Sequence, residues 1–189
     1  MRNVLALAAS MLLAGCVTTP AMTYQPSIDN TQLLMRDGRG KLAVDAFTAS
    51  PTVDNTRLGV RLSHLTGGGS DGTFSGYLHD ALQAELGTAG RLDPASPLRL
   101  SGTLTGNVLD GDGAKTGFAK VGAHFVLKRG AQTLYERDLS ATHQWESSFI
   151  GAIAIPAAMQ NYTTAVQKLL ATLFGDPEFV AASNAPAPP

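Results

Sequence analysis

Alternation of apolar and polar residues predicts three long strands in the second half of this chain. In residues 118–128 the apolar side chains share one parity and the basic or imidazole side chains share the other: Val121, Ala123, Phe125 and Leu127 against Lys120, His124 and Lys128. The same period of two runs through residues 133–145, and through residues 97–109 with the apolar face Leu98, Leu100, Leu104 and Val108. Such alternation is typical of half-buried strands. The short turn at residues 129–132 makes the last two strands antiparallel neighbours.

Two shorter strands are predicted earlier, at residues 41–48 and 57–64. In the second, Leu58, Val60 and Leu62 alternate with polar or small residues, so all three are expected to face the core. A turn containing Pro51 separates the two strands.

Helical spacing of apolar residues predicts two helices. The first carries Phe74, Tyr77, Leu78, Leu82 and Leu86 on one face, with Asp71, Thr73 or Ser75 as its cap and Gly87 or Gly90 at its end. The second runs from Pro156 to Phe174, carries an apolar stripe through Met159, Tyr162, Val166, Leu169, Leu170 and Leu173, and is closed by Gly175 and Pro177. The order ββ-α-βββ-α predicts an α+β fold, an antiparallel sheet with two helices packed on one face, in one domain at residues 38–180.

The first fifteen residues have the pattern of a secretory signal peptide. Arg2 is the only charged residue before Asp29, and residues 4–13 are an apolar run of about ten residues, half of the roughly twenty that span a bilayer. The quartet Leu13-Ala14-Gly15-Cys16 that follows resembles the lipobox of bacterial lipoproteins. The alternative is an ordinary signal peptide with a chance cysteine. Because Cys16 is the only cysteine in the chain, lipidation explains it better than a disulfide does.

The lipobox resemblance implies that Cys16 carries three acyl chains, palmitate among them, which anchor the mature protein to a membrane. Val17 stands where enterobacterial lipoproteins retained in the inner membrane have Asp, so the expected location is the outer membrane, facing the periplasm. Residues 16–37 are predicted to be the lipidated cysteine and a flexible tether. Residues 181–189, with three prolines, are predicted to be a disordered tail.

Composition excludes a nucleic-acid partner. The chain has 14 basic and 15 acidic residues, and removal of Arg2 with the signal peptide leaves a mature net charge of −2. Nucleic-acid-binding domains carry a basic patch instead.

No group of residues has the spacing of a catalytic or metal site, and the expectation is a protein that is not an enzyme and has no cofactor. The glycine-rich run at residues 67–72 lacks the Lys-Ser/Thr of a phosphate-binding loop, so it is interpreted as a strand-to-helix loop. The Asp110-Gly-Asp-Gly sequence lacks the later oxygen ligands of a calcium loop, so it is interpreted as a turn. The four histidines are scattered without metal-ligand spacing, and no metal is expected.

One apolar run, residues 149–155, fits neither a strand nor a helix. It contains Phe149, Ile150, Ile153 and Ile155 between small residues. Two interpretations remain open: a buried loop beneath the helices, or an exposed patch that contacts a partner or the membrane surface. These four residues are the predicted partner contact.

Residues 74–179 resemble the YajG-type outer-membrane lipoproteins. The resemblance rests on the helix with Leu78, Leu82 and Leu86, the three-strand meander, and a final helix with Val166 and Leu170 that runs into Asp176-Pro177-Glu178-Phe179. A weaker likeness extends to auxiliary lipoproteins of lipid-transport systems. The resemblance implies a non-catalytic, lipid-anchored envelope component that acts in assembly or transport through an envelope protein partner. The alternative is a periplasmic module that binds a lipid or a glycan in an apolar cleft between the helices and the sheet.

Overall fold

The computed structural model describes residues 22–36, 40–113 and 115–185. The predicted signal peptide, Cys16 and the last four residues lie outside them. Within these ranges the chain forms four helices and seven strands: α1 (Ile28–Met35), β1 (Ala43–Val44), β2 (Thr48–Ala49), β3 (Arg57–Val60), β4 (Ser63–Thr66), α2 (Phe74–Thr88), β5 (Leu98–Asp110), β6 (Thr116–Arg129), β7 (Gln132–Glu146), α3 (Gly151–Gly175) and α4 (Pro177–Asn184).

The predicted α+β fold is confirmed. Strands β5, β6 and β7 form an antiparallel meander, and Gly130 provides the positive φ of 57° that the tight β6–β7 turn requires. Strands β1 and β2 both pair parallel to β5, so the sheet is mixed and the single strand predicted at residues 41–48 is two short ones. Strands β3 and β4 form a separate hairpin.

The core lies between the helices and one face of the sheet. Helix α3 packs on β6 and β7, α2 packs on β5, and α1 lies against both helices. The predicted inner face of β6 is confirmed, because Val121, Ala123, Phe125 and Leu127 are all buried. Phe74, Tyr77 and Tyr162 fill the space between α2 and α3, with the ring centroids of Phe74 and Tyr162 5.2 Å apart.

A bulge in β5 reverses the predicted orientation of its second half. The register with β6 shifts between Leu104 and Gly106, so one extra residue is inserted on β5. Side chains beyond the bulge change face because the period of a strand is two. Val108, predicted to be in the core, is therefore exposed, and Asn107 is buried in its place. Tyr162 donates a 2.8 Å hydrogen bond to Oδ1 of Asn107, which satisfies both polar groups.

The strand predicted at residues 57–64 is wrong in its second half. The chain turns at Arg61 and Leu62, and Arg61 has a positive φ of 53°. Leu58 and Val60 are buried as predicted, but Leu62 sits on the turn and is fully exposed, at 108% of its reference area.

The folded domain is longer at both ends than predicted. Helix α1 lies in the segment predicted to be a tether: Ser27 caps it, and Asn30 and Leu34 are buried. Helix α4 lies partly in the predicted tail, and its Ala182 and Ser183 are buried. Tertiary contacts supply the stability that the local sequences of these two short helices do not provide.

Helix α3 begins at Gly151, five residues before the predicted start at Pro156. Its stripe through Ala154, Ala158 and Tyr162 is buried against the sheet. Pro156 is the sixth helical residue, where it removes one backbone hydrogen bond from the helix. The end at Gly175 is confirmed, and Pro177 begins α4 as its first residue.

Candidate interaction surface

Arg61 holds together three loops at one end of the sheet. Its guanidinium donates to the backbone carbonyls of Asp112 at 2.7 Å, Gly113 at 3.0 Å and Ser148. Its own backbone N–H donates to Oδ1 of Asp112. The β3–β4 turn, the β5–β6 loop and the β7–α3 connection are thus joined by one side chain. The charged guanidinium of Arg61 faces backbone oxygens. The surface around it is formed by apolar side chains.

Four large apolar side chains are exposed around this junction, and we call them the apolar end: Leu62, Phe149, Ile150 and Ile153. Phe149 is 80% exposed, Ile150 59% and Ile153 56%. Ile155, the fourth residue of the predicted contact, is instead half-buried against the core. The exposed-patch interpretation of residues 149–153 therefore fits the structure better than the buried-loop interpretation.

The apolar end borders a groove of about 560 Å³ lined by Arg61, Leu62, Asp112, Phe149 and Ile155, among others. The Arg61 guanidinium carbon lies 5.7 Å from the centroid of the Phe149 ring, a cation–π distance. Leu62 was missed at the sequence level because its alternation with Leu58 and Val60 predicts burial. Nothing in the local sequence reveals the turn at Arg61.

A second groove, of about 480 Å³, lies between α3 and the first described residues of the chain. Met22, Gln25, Pro156 and Met159 are among its lining residues. Gln167 donates a 2.8 Å hydrogen bond to the carbonyl of Gln25. Met22 is buried, and a side chain at Gly68 would collide with its carbonyl oxygen, because a Cβ there would lie 2.2 Å away.

A buried carboxylate fixes the N-terminal segment to α2. Oε1 of Glu85 accepts hydrogen bonds from Tyr24, from the Ser27 backbone and from Asn30. Oε2 of Glu85 is buried and has no hydrogen-bond partner among the described residues. The pKa of Tyr24 is raised, first by burial and then by its hydrogen bond to Glu85. These contacts hold the N-terminal segment against α2.

The Asp176-Pro177-Glu178-Phe179 sequence joins α4 to β7. Asp176 caps α4, and it accepts hydrogen bonds from Tyr135 at 2.9 Å and Arg137 at 3.0 Å. Burial would raise the pKa of Asp176, but hydrogen bonds from the Glu178 backbone and from Tyr135, with the charge of Arg137, hold it below its ordinary value. Phe179 packs on Tyr135, with the ring centroids 5.4 Å apart. The motif therefore has a structural role.

The four histidines occupy separate places in the fold. His64 is exposed on β4, His79 contacts Asp80 on α2, and His124 lies between Glu136 and Asp138 on the outer face of the sheet. The ring of His143 faces Asn161 and Lys168 of α3. In residues 22–36, 40–113 and 115–185 no three metal-ligating side chains are close enough to hold a metal ion.

The glycine-rich run and the Asp-Gly-Asp-Gly sequence both lie in loops. The first joins β4 to α2, and Thr73 at its end caps α2 by accepting from the Gly76 backbone. In the second, Asp110 accepts from the Asp112 backbone at 3.1 Å, while Asp112 faces Arg61. Both sequences therefore serve local backbone structure.

Two solved structures of bacterial proteins align with most of this chain. Protein XCC0632 from Xanthomonas campestris, of the DUF330 family, aligns with a TM-score of 0.54 and 18% sequence identity over 81% of this chain and 92% of that protein. A "putative lipoprotein from Caulobacter crescentus CB15" aligns with a TM-score of 0.48 and 13% identity over 85% of this chain and 100% of that protein. At 18% identity the first likeness shows a shared fold. The resemblance to YajG-type lipoproteins is not tested by it and stays a prediction.

No protein-family model matches the sequence, and no curated protein matches it. Of the helices in the described part of the chain, none combines the length and the hydropathy needed to span a bilayer.

Proposed function

We propose that this chain is a lipid-anchored lipoprotein of the bacterial outer membrane that faces the periplasm and acts through contacts rather than catalysis. The lipobox at Leu13–Cys16 supports the anchor, and the YajG-type resemblance supports an accessory role in envelope assembly or transport. Its expected partners are the membrane, through Cys16, and an envelope protein that binds a periplasm-facing surface of the domain.

The observation that carries a contact role is the apolar end. A monomeric domain gains stability by burying side chains such as Phe149 and Ile153, and here they are exposed beside the loops that Arg61 joins. The candidate acid–base groups Glu85, Asp112 and Asp176 are each engaged in bonds that hold elements together. This distribution favours a binding surface over an active site.

The alternative of a lipid- or glycan-binding module needs an apolar cleft between the helices and the sheet. Buried core side chains fill that space, among them Phe125 and Leu127 of β6 and Leu169 of α3. The alternative would therefore have to use one of the two open grooves.

Fractionation of cells that express the full-length precursor tests the anchor. The wild-type chain is expected in the outer membrane at mature size, labelled by a palmitate analogue. Cys16→Ser is expected to remain at precursor size in the inner membrane without label, because the lipoprotein peptidase requires the modified thiol. A Cys16→Ser chain that reaches the outer membrane at mature size would overturn the proposal.

A further inference from the structure

We infer that the apolar end rests on the lipid bilayer and forms a second membrane contact beside the acyl chains of Cys16. The inference rests on the proposed lipid anchor and specifies how the domain lies against the membrane. It is carried by the course of the first described residues, by the length of chain that separates them from Cys16, and by the size of the exposed surface.

The N-terminal segment runs along α3 toward the apolar end. Gln25 and Met22 both line the groove along α3 between Pro156 and Gln167. Gln25 is bonded to Gln167, in the second half of the helix. Met22 lies against Gly68, which precedes α2, and the first residue of α2, Phe74, packs on Tyr162 in the first half of α3. Residues 156 and 167 of α3 are about 16 Å apart along the helix axis, at 1.5 Å per residue. Traced from Gln25 back to Met22, the chain therefore approaches the end of α3 that carries Ile150 and Ile153.

The remaining chain is too short to carry the lipid far from that end. Six residues lead from Met22 back to Cys16, and even fully extended they span only about 20 Å. Ile153 lies three residues before Pro156, about 4.5 Å along the helix axis. The opposite end of α3, at Gly175, is nineteen residues beyond Pro156, or about 28 Å. The direction of the segment and the short tether together favour the apolar end, rather than the opposite end, as the side that meets the membrane.

The size of the apolar end favours lipid over a protein partner. Even an aromatic side chain such as Phe149 buries only about 150–250 Å². The four side chains of the apolar end, three only partly exposed, offer less than the roughly 800 Å² that each partner contributes to a stable protein interface. A bilayer needs no such complementary area, because a few apolar side chains add to the binding that the acyl chains already provide.

The test reconstitutes the mature chain, from Cys16 to Pro189, on vesicles of phosphatidylethanolamine and phosphatidylglycerol. The thiol of Cys16 is coupled to a maleimide lipid, so the tether is present whether or not cells lipidate the protein. The chain has one tryptophan, and Trp145→Phe removes it. Phe149→Trp or Leu62→Trp then places a single indole in the apolar end, on two different loops. Brominated phosphatidylcholine in the vesicles quenches an indole that enters the acyl region.

Met35→Trp in the same background is the matched control. Met35 is an exposed apolar residue, at 67%, on the last turn of α1. The adjacent Leu34 carbonyl is bonded to Arg91, beyond the C-terminal end of α2, whereas Met22 contacts Gly68, which precedes the start of α2. Met35 is thus separated from the chain exit by about the 22 Å length of α2.

We expect brominated lipid to quench the fluorescence of the indoles at positions 149 and 62 and to leave that of the indole at position 35 unchanged. Ile153→Asp in the Phe149→Trp chain should reduce the quenching while the circular dichroism melting curve stays cooperative. Equal emission from brominated and unbrominated vesicles at both apolar-end positions would overturn the inference. The inference would also be overturned if an envelope protein co-purified in stoichiometric amount with the wild-type chain, was lost from the Ile153→Asp variant and was retained by the Met35→Asp variant. If the Cys16→Ser chain reached the outer membrane at mature size, the natural lipid anchor would be rejected. The quenching measured with the chemically coupled lipid would still test the membrane contact of the apolar end.

Discussion

The hydroxyl of Tyr24 donates a 2.6 Å hydrogen bond to Oε1 of Glu85, which lies sixty-one residues further along the chain. The same oxygen accepts from the Ser27 backbone at 3.0 Å and from the Asn30 side chain at 2.9 Å. Three donors of the N-terminal segment therefore converge on one buried carboxylate of α2. This convergence fixes the segment that would lead from the proposed lipid anchor to the domain.

Loss of the Tyr24 hydroxyl should destabilise the domain and loosen α1. Tyr24→Phe is expected to cost about 1.5–3 kcal/mol of unfolding free energy, because the acceptor is a carboxylate. Tyr77→Phe is the control, since Tyr77 bonds to the neutral hydroxyl of Thr163 at 2.7 Å and should cost about 0.5–1.5 kcal/mol. Urea unfolding measures both, and hydrogen exchange should show faster exchange in α1 only for Tyr24→Phe. Unchanged exchange in α1 would contradict the role given to this contact.

Replacement of the buried Asn107 should destabilise the domain far more than replacement of its exposed neighbour Val108. Asn107 accepts from Tyr162 at 2.8 Å and donates to the Asp54 carbonyl at 2.8 Å, so Asn107→Ala leaves two groups without partners, at about 1–3 kcal/mol each. Val108→Ala, on the exposed face, should change stability by less than about 0.5 kcal/mol. Thermal unfolding of the two variants would contradict the bulge if Val108→Ala were the more damaging change.

A double-mutant cycle that combines Asn107→Ala with Tyr162→Phe isolates the interaction between these two residues. Because the two residues share a hydrogen bond, the double variant should lose less stability than the two single variants lose together. Simple additivity would show that Asn107 and Tyr162 act independently.

The sequence predicts well those elements whose side-chain pattern is decided by a single buried face. Strand β6 alternates because one of its faces is buried beneath α3 and α4, and α2 keeps an apolar stripe because one of its faces is buried against β5 and α3. The bulge after Leu104 follows from register with a neighbouring strand, which the sequence of β5 alone does not contain. Helix α1 was missed because its stability comes from Glu85 and α3, both distant in the chain.

The candidate surface was predicted in part. Phe149, Ile150 and Ile153 are recognisable as an apolar run with no regular period, and that irregularity is what indicates them. The exposure of Leu62 and the bonds from Arg61 to neighbouring loops both depend on a turn with positive φ at a non-glycine residue. Local propensity disfavours this backbone conformation. Such a turn is stabilised by bonds to Asp112 and Ser148, which come from remote loops.

Deletion of the end of α4 should destabilise the domain. A chain that ends at Val180 loses the buried Ala182 and Ser183, and it loses the carbonyl of Ser183 that accepts a 3.3 Å hydrogen bond from the Gly40 backbone. A chain that ends at Ala185 keeps these contacts and is the control. Differential scanning calorimetry should show a lower melting temperature only for the shorter chain. Identical melting curves would place the domain boundary at Val180.

The contribution of Asp176 to stability should disappear in acid. Its pKa in the folded chain is held below the ordinary value of about 3.9. A group whose pKa is lowered by folding stabilises the fold above its unfolded pKa, and this contribution is lost as the pH falls through the folded pKa. Asp176→Asn should therefore be less stable than wild type near neutral pH, with a difference that shrinks below about pH 4. A difference that stays constant across urea unfolding curves in this range would contradict the assignment.

Lipidation of Cys16 can be measured as the mass of the N-terminal peptide, after the natural protein is isolated from outer membranes and digested with trypsin. We expect the peptide to begin at Cys16 and to carry a diacylglyceryl group on its sulfur and a further acyl chain on its amino group. Cleavage after Arg36, the first basic residue beyond the anchor, would give a lipidated peptide of residues 16–36. A peptide that begins elsewhere, or that begins at Cys16 with a free thiol, would contradict the central claim.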